Sequence, residues 1–449
     1  MSSYIPNTQA DRTRMLEAMG LTSVDELFDV IPAEKRYPAL ELPAPLSEIE
    51  VKRFLAGLAE RNADLEHYPS FLGAGSYHHF VPSVVDSVVS RGEFYTAYTP
   101  YQPEVSQGTL TPIYEFQTMI CALTGMDVAN ASMYDGATAL AEAGLMAARV
   151  TRRYKIVVAS TIPPRYRKVL RTYTQGMGME IVEVGRVDDG TVDSSEAERL
   201  LDDTTAALMV QHPNFLGCVE DLESLSELAH AVGALLVVCA DPIALGLFKA
   251  PGDCGADIVV GEGQCLGNPP SYGGPYVGLF SCRQKYVRQM PGRLVGATTD
   301  AQGRRGFVLT MQPREQHIRR EKATSNICTN EALVALAACT YLAVLGKQGL
   351  RKVAELCYHK AHYAAQRIAA LPGYERLFGS FFKEFAIRTP VQAARVNDLL
   401  WERGIIGGYE LAKEYPDLSD CLLFCVTEMH TRAQIDGLVE ALGEVGKQG

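Results

Sequence analysis

The stretch "GEGQCLGNPPSYGGPYVG", residues 261–278, decides how this chain is read. It follows a strand-like "ADIVV" and runs through paired glycines into a second apolar strand. In an open α/β sheet, ligands gather outside the carboxyl ends of the strands, so a glycine-rich turn at that place reads as a pocket floor. The side chains that a floor of this kind offers for chemistry are Gln264 and Cys265, and neither is an amine.

Upstream, apolar strands alternate with helical segments. "KIVVAS" (155–160), "MEIVEV" (179–184), "AALMVQ" (206–211) and "ALLVVCA" (234–240) read as strands, with helices between them in "PPRYRKVLRTYTQGMG" and "DLESLSELAHAVG" (221–233). That alternation predicts an α/β fold with a mostly parallel central sheet covered on both faces, and Gly233 is placed to end a helix. Downstream the pattern restarts: helices near 331–346 and over 350–371, a strand at 383–389, a helix at 391–404, a strand at 421–426 and a helix at 431–445. This is the signature of a smaller C-terminal α+β domain. At the other end, "ADRTRMLEAMGLTSVDELFDVI" (10–31) predicts two short amphipathic helices split at Gly20, with Ser23 as a cap. A proline-spaced stretch then leads to a helix from about Glu48. The chain divides into an arm (1–60), a large α/β domain (61–330) and a linking helix with a small domain (331–449).

Forty-two basic residues against 53 acidic ones give a net charge of −11, which disfavours a nucleic-acid partner. "ALVALAACTYLAVLG" (332–346) is short for a membrane span and reads as a core helix, so no membrane partner is expected. The opening "MSSYIPNTQADRTR" lacks the apolar core of a secretory signal, and the 11 cysteines show no CxxC pair or zinc spacing. Cytoplasm is the expected location, and no metal site is expected.

Four features bear on chemistry. Asp241, directly after "ALLVVCA", stands where a carboxylate pairs with a protonated ring nitrogen, or simply caps the Asp-Pro turn. "YDGAT" (134–138) precedes an alanine-rich helix whose free N–H groups receive a phosphate, unless Asp135 and Thr138 only cap it. In "GEFYTAYTPYQPEVSQG" (92–108), Tyr95, Tyr98 and Tyr101 recur at intervals of three, with Pro100 and Pro103 against a regular helix; the rings stack on a ligand or pack as a surface loop. "LTMQPREQHIRREKATSNICTN" (309–330) is a basic island, Arg314, His317, Arg319, Arg320 and Lys322, that holds an anion or forms a solvated helical face.

Taken in order, "FYTAYTPYQPEVSQGTL", "EFQTMICALTGMDVANASMYDGATALAEA", "GEGQCLGNPPSYGGPY" and "REQHIRREKATSNICT" closely resemble the glycine decarboxylase P-protein family of the glycine cleavage system. The resemblance spans nearly the whole chain, and the length fits the family's split form, two homologous chains of which this one resembles the alpha. It implies the fold-type-I architecture of pyridoxal-phosphate-dependent transferases. It also implies an assembly of two alpha and two beta chains that decarboxylates glycine and passes the aminomethyl group to the lipoyl arm of the H-protein.

The resemblance further implies that the beta chain carries the Schiff-base lysine and holds pyridoxal phosphate. Counting back from Gly273-Gly274-Pro275 sets Gln264 at that lysine's place here, and counting forward from Asp257 sets Cys265 there. The nearest lysines in sequence, Lys249 and Lys285, lie on the wrong elements. The expectation is a relic pocket in this chain and a working site in the partner, which this chain completes. Tyr95, Tyr98, Tyr101 and Glu104 are expected to line the glycine pocket or lipoyl tunnel, and Thr324, Ser325 and Asn326 to reach the partner's cofactor phosphate. Cys328, beside the basic island, is the candidate reactive thiol. The competing readings are an autonomous pyridoxal-phosphate enzyme, and a structural or regulatory pseudoenzyme.

Overall fold

In a computed structural model, which describes Tyr4 and residues 6–446, the chain divides into two units, Met1–Ala63 and Asp64–Gly449. Residues 1–3, 5 and 447–449, the outermost parts of the predicted arm and C-terminal segment, lie outside the described residues. In the first unit, α1 (Gln9–Ala18) starts at a capping box of Thr8 and Asp11, and α2 (Glu48–Ala59) at one of Ser47 and Glu50. The second helix expected after Gly20 is only a 3-10 turn, Asp25–Phe28, near the Ser23 hydroxyl. Pro32 stops it, because the residue before a proline is pushed out of the helical region. Neither helix buries a side chain, and Val30, Leu40, Leu42, Ile49 and Phe54 are exposed.

The second unit opens with α3 (Ser83–Val89), α4 (Gly92–Tyr95) and α5 (Pro103–Thr124). Strands and helices then alternate: β1 (Val128–Ala129), α6 (Gly136–Thr151), β2 (Lys155–Ala159), α7 (Pro164–Thr174), β3 (Glu180–Val184) and α8 (Ser194–Leu200). They continue as β4 (Thr205–His212), α9 (Leu222–Ala231), β5 (Leu235–Ala240), β6 (Ile258–Glu262) and β7 (Gly278–Cys282). These seven strands form one sheet in the order β1-β7-β6-β5-β4-β2-β3. The run from β6 to β3 is parallel, while β7 pairs antiparallel with β6, and β1 with β7. Every residue of β5 is buried, as a strand covered on both faces requires. Gly233 takes φ +74 just past α9, the left-handed exit expected of it.

A hairpin of β8 (Leu294–Thr299) and β9 (Arg305–Thr310) follows, then α10 (Gln316–Arg319). The two apolar helices predicted on either side of Gly346 form one element, α11 (Ala332–Ala369), broken where Gly346 takes φ 57 and ψ −175. It is long and apolar enough to cross a membrane, yet Val334, Ala338 and Tyr341 on it pack with Phe116, Ile120 and Leu266 in a buried cluster. A second, antiparallel sheet in the order β10-β11-β13-β12 closes the chain. Its strands are β10 (Glu375–Arg376), β11 (Glu384–Arg388), β12 (Tyr409–Glu410) and β13 (Cys421–Cys425), with α12 (Ala393–Trp401) and α13 (Arg432–Val445) against them.

Candidate functional site

The carboxyl ends of β4, β5 and β6 converge on one polar cluster. Asp241 leaves the end of β5 with Oδ1 accepting from the Ile243 N–H at 3.0 Å, the turn cap of an Asp-Pro step. Its other oxygen, Oδ2, lies 2.7 Å from the ammonium of Lys383, which arrives from the second sheet, just ahead of β11. The two side chains are 11 % and 2 % exposed, so this is a buried ion pair. The ammonium also sits over the Tyr77 ring, 3.5 Å from its centroid. Burial pulls the lysine down, but Asp241 together with the thiols of Cys265, Cys425 and Cys357 carries the group above its ordinary value.

Lys383 is held from behind as well. Its Nζ lies 3.3 Å from His79 Nε2, and His79 Nδ1 lies 2.7 Å from Glu428 Oε2. Glu428 further accepts from the Phe80 N–H at 2.8 Å and the Cys357 thiol at 3.3 Å. Burial pushes Glu428 up, yet His79 and the Phe80 amide hold it down at about 2. His79, Cys357 and Glu428 thus come together from three separate segments, with ligand atoms within 4.8 Å of one another. Those atoms are already joined in a hydrogen-bonded chain that ends on the lysine.

The neighbouring Glu384 carboxylate accepts from the Ala74 N–H at 2.7 Å and the Tyr77 hydroxyl at 2.8 Å, and burial pushes it up to about 7. The approach is close: Gly217, at φ +88, passes so near the Glu384 carbonyl that a Cβ would lie 2.0 Å from its oxygen. Among the described residues, Gln211 Oε1 and His212 Nδ1 are buried without a partner, and burial lowers His212 to about 4.

At the other end of the cluster, α6 begins at Gly136. Asp135 caps it through the Thr138 N–H at 2.7 Å, and Thr138 answers the Asp135 N–H at 3.1 Å. The Gly136 N–H donates to Glu262 Oε2 at 2.9 Å. Glu262 Oε1 takes the N–H groups of Gln264 at 3.0 Å and Val277 at 3.2 Å. Burial pushes Glu262 up to about 7 against the pull of those three donors.

Gln264 is fully buried and bolts the floor in place: it accepts from the Tyr77 N–H at 2.9 Å and donates to Tyr77 O at 2.9 Å and Asn268 O at 2.7 Å. The buried Cys265 thiol is pushed up by burial and is no nucleophile.

Pyridoxal phosphate, the cofactor that the resemblance implies, does not fit these residues. The helix N-terminus already carries a carboxylate, and Asp241 already carries a cation. Two cavities share Tyr77, Gln211 and Asp241, with about 30 Å³ and about 10 Å³ of room, space for a water or two. Lys249 and Lys285, the nearest lysines in sequence, pair with Glu223 and lie on the Tyr286 ring. The amine that does reach the pocket is Lys383, which local sequence reading missed.

The tyrosine segment lies elsewhere on the unit. Tyr95 ends α4, and Pro103 opens α5, since a proline's fixed φ suits the first helical turn. Glu104 and Gly108 are therefore helical, and the loop proper is 96–102. Tyr101 is anchored: Arg293 Nη2 donates to its hydroxyl at 3.3 Å and the guanidinium sits 5.6 Å from its ring centre. Tyr95 and Tyr98 are 69 % and 88 % exposed, and neither hydroxyl has a partner among the described residues. With Phe94, Pro112, Ile113 and Leu336 they line an apolar cleft.

Downstream, the basic island is no helical face. It consists of short turns in which Arg314 donates to the carbonyls of Met290 and Gly292. The Thr324 N–H donates to Arg314 O at 2.9 Å, Ser325 Oγ accepts from the Ile327 N–H at 3.0 Å, and Asn326 Oδ1 accepts from Gln316 at 3.0 Å. Arg293 also donates to Cys328 O at 2.8 Å, linking this turn to Tyr101. Cys328 itself is exposed.

A family model described as glycine cleavage system P-protein matches residues 2–442. A probable glycine dehydrogenase (decarboxylating) subunit 1 from Thermomicrobium roseum is 58 % identical over 443 residues, covering 98 % of this chain and 99 % of the relative. One of the same name from Desulforamulus reducens is 54 % identical, covering 98 % and 99 %. Among solved structures, a glycine decarboxylase (P-protein) of the glycine cleavage system in inhibitor-bound form superposes with a TM-score of 0.91 at 44 % identity, over 99 % of this chain and 100 % of that one. A sphingosine-1-phosphate lyase from Burkholderia pseudomallei, 18 % identical with a TM-score of 0.68 over 93 % and 94 % of the two chains, shares the fold. The architecture is the fold-type-I α/β arrangement.

Proposed function

Because this chain belongs to the glycine cleavage system P-protein family and is a subunit of its oxidoreductase, glycine dehydrogenase (decarboxylating), we propose that it is the alpha chain of a two-chain enzyme and completes an active site held by the beta chain. Pyridoxal phosphate serves this system, and we assign it to the beta chain, where it supplies an electron sink for loss of CO2 from glycine. Two alpha and two beta chains form the assembly, and the aminomethyl group leaves on the lipoyl arm of the H-protein. A cytoplasmic setting goes with this reading, in keeping with cysteines that are all free.

The observation that carries the proposal is the tyrosine segment. Two exposed rings with unused hydroxyls project from a base fixed by the Tyr101–Arg293 contact. Rigid aromatics with free polar tips are suited to ordering a small zwitterion beside a partner's cofactor. Glu104 lies in the first turn of α5, three residues after Tyr101, and we assign its carboxylate to the same task. Thr324, Ser325 and Asn326 face the partner's phosphate in this scheme, with Ser325 and Asn326 pre-set by their hydrogen bonds. The exposed apolar residues of the arm, Leu40, Leu42, Ile49 and Phe54, are offered to the beta chain.

The test is glycine–bicarbonate exchange by the assembled complex carrying Tyr95→Phe or Tyr98→Phe in this chain only. Loss of a hydroxyl that binds more tightly in the transition state costs about 1.4 kcal/mol, a roughly tenfold fall in rate. Assembly and melting temperature stay at wild-type values. Unchanged exchange in both variants would leave the chain a scaffold, and the pseudoenzyme reading would stand.

A further inference from the structure

We infer that this chain fills its own cofactor place with its own side chains: the Glu262 carboxylate stands at the helix N-terminus where a phosphate would sit, and the Lys383 ammonium stands against Asp241 where a ring nitrogen would sit. The proposal concerns this chain's pocket alone, so it stands or falls apart from the tyrosine segment.

Both ends of the place are occupied by the kind of group a phosphorylated pyridine would bring, a hydrogen-bond acceptor at one end and a cation at the other. At the anion end, Glu262 takes the Gly136 N–H at 2.9 Å, the donor that heads α6, and closes the remaining gap with the Gln264 and Val277 N–H groups. No slack remains: a Cβ on Gly136 would lie 2.5 Å from the Tyr166 hydroxyl and 3.1 Å from Glu262 Cβ. A phosphate entering here meets a carboxylate at contact distance with its N–H donor already used. At the cation end, Lys383 holds Asp241 Oδ2 at 2.7 Å, covers the Tyr77 face and is backed by His79. A pyridinium could reach Asp241 only by displacing that ammonium. The amine is equally unavailable to an aldehyde, since its lone pair is protonated and all its directions are in use.

The two substitutes come from β6 and from the residue just ahead of β11, at two different sheets, and neither would neutralise the other's seat alone. The ligand class excluded is a phosphorylated pyridine, whether aldehyde or amine. What is gained is a pocket that stays shut at cofactor concentrations sufficient to load the partner.

The experiment treats the full wild-type chain with pyridoxal phosphate, reduces with borohydride and maps the labelled peptides. Exposed lysines such as Lys168 and Lys285 should carry label, and Lys383 should carry none. In parallel, inorganic phosphate and pyridoxamine phosphate are titrated into wild type, Glu262→Ala and Glu262→Ala/Lys383→Ala. Removing the competing carboxylate should tighten phosphate binding by at least about tenfold, and the double variant should bind pyridoxamine phosphate saturably where wild type does not. A reduced adduct on Lys383 in wild type overturns the proposal without any variant having to fold. So does a folded Glu262→Ala chain that binds phosphate no better than wild type.

Discussion

Replacing Lys383 by methionine should be among the most damaging single changes in the second unit, although it keeps the side chain's length and apolar stem. At 2.7 Å, and with an effective dielectric constant of about 20, the attraction between Lys383 and Asp241 is about 6 kcal/mol before desolvation is subtracted. Desolvation takes back most of that when the pair forms, so the pair itself adds little net stability. Breaking it from one side is a different matter. Asp241 would then stand buried beside Glu384 with no cation, and an uncompensated buried charge costs about 3–5 kcal/mol. The lost contact with the Tyr77 face acts in the same direction.

Lys383→Met should therefore unfold at lower urea with an unchanged slope, and melt about 5 °C below wild type. Asp241→Asn/Lys383→Met removes both charges and should recover most of the deficit, giving a coupling energy of about 2–4 kcal/mol in the double-mutant cycle. Equilibrium urea unfolding followed by circular dichroism measures all four corners. A Lys383→Met chain within about 1 kcal/mol of wild type, or a double variant equal to the sum of the singles, would refute the buried-pair reasoning.

Two further outcomes follow from single side chains. His430 is locked neutral, with Nε2 donating to Ser70 O at 2.9 Å and Nδ1 accepting from the Thr427 N–H at 3.0 Å, and burial lowers it to about 4. A base depressed in the folded chain contributes stability that is present above its unfolded value of about 6.5 and lost as pH falls towards 4, so wild type should lose about 2 kcal/mol more than His430→Gln between pH 6.5 and 4.5. Equal slopes in pH-resolved melting curves would remove that assignment. Cys328 is exposed, whereas burial pushes the thiols of Cys121 to about 11 and of Cys239, Cys282 and Cys339 to about 12. Maleimide labelling of the native chain should modify Cys328 first, and a slower rate than at any of these four would end its candidacy as the reactive thiol.

The central sheet was legible because β2, β4, β5 and β6 are apolar runs buried on both faces, a local signal that needs no tertiary knowledge. β10 and β12 are two residues long and leave no periodicity, and the β8–β9 hairpin alternates too weakly, with Gly296 and polar threonines along it, to stand out from a loop. In the pocket the local features were readable: Asp241 after its strand, and the capped start of α6. Lys383 was not, because "KEFAIRT" reads only as a strand, and nothing in it says that its first residue points across to another sheet. Glu262 lies within the glycine-rich floor, yet its partner Gly136 is 126 positions away, beyond any sequence pattern.

The floor bolted by Gln264 is one of three locks on this pocket. A lysine at that position would supply an amine but no acceptor for the buried Tyr77 N–H. Glu262 would still repel a phosphate, and Lys383 would still hold Asp241. Withdrawing either of those first strands a buried charge or a buried helix end. The three locks therefore yield only together: any single substitution towards cofactor use breaks a buried contact while the other two still bar the ligand.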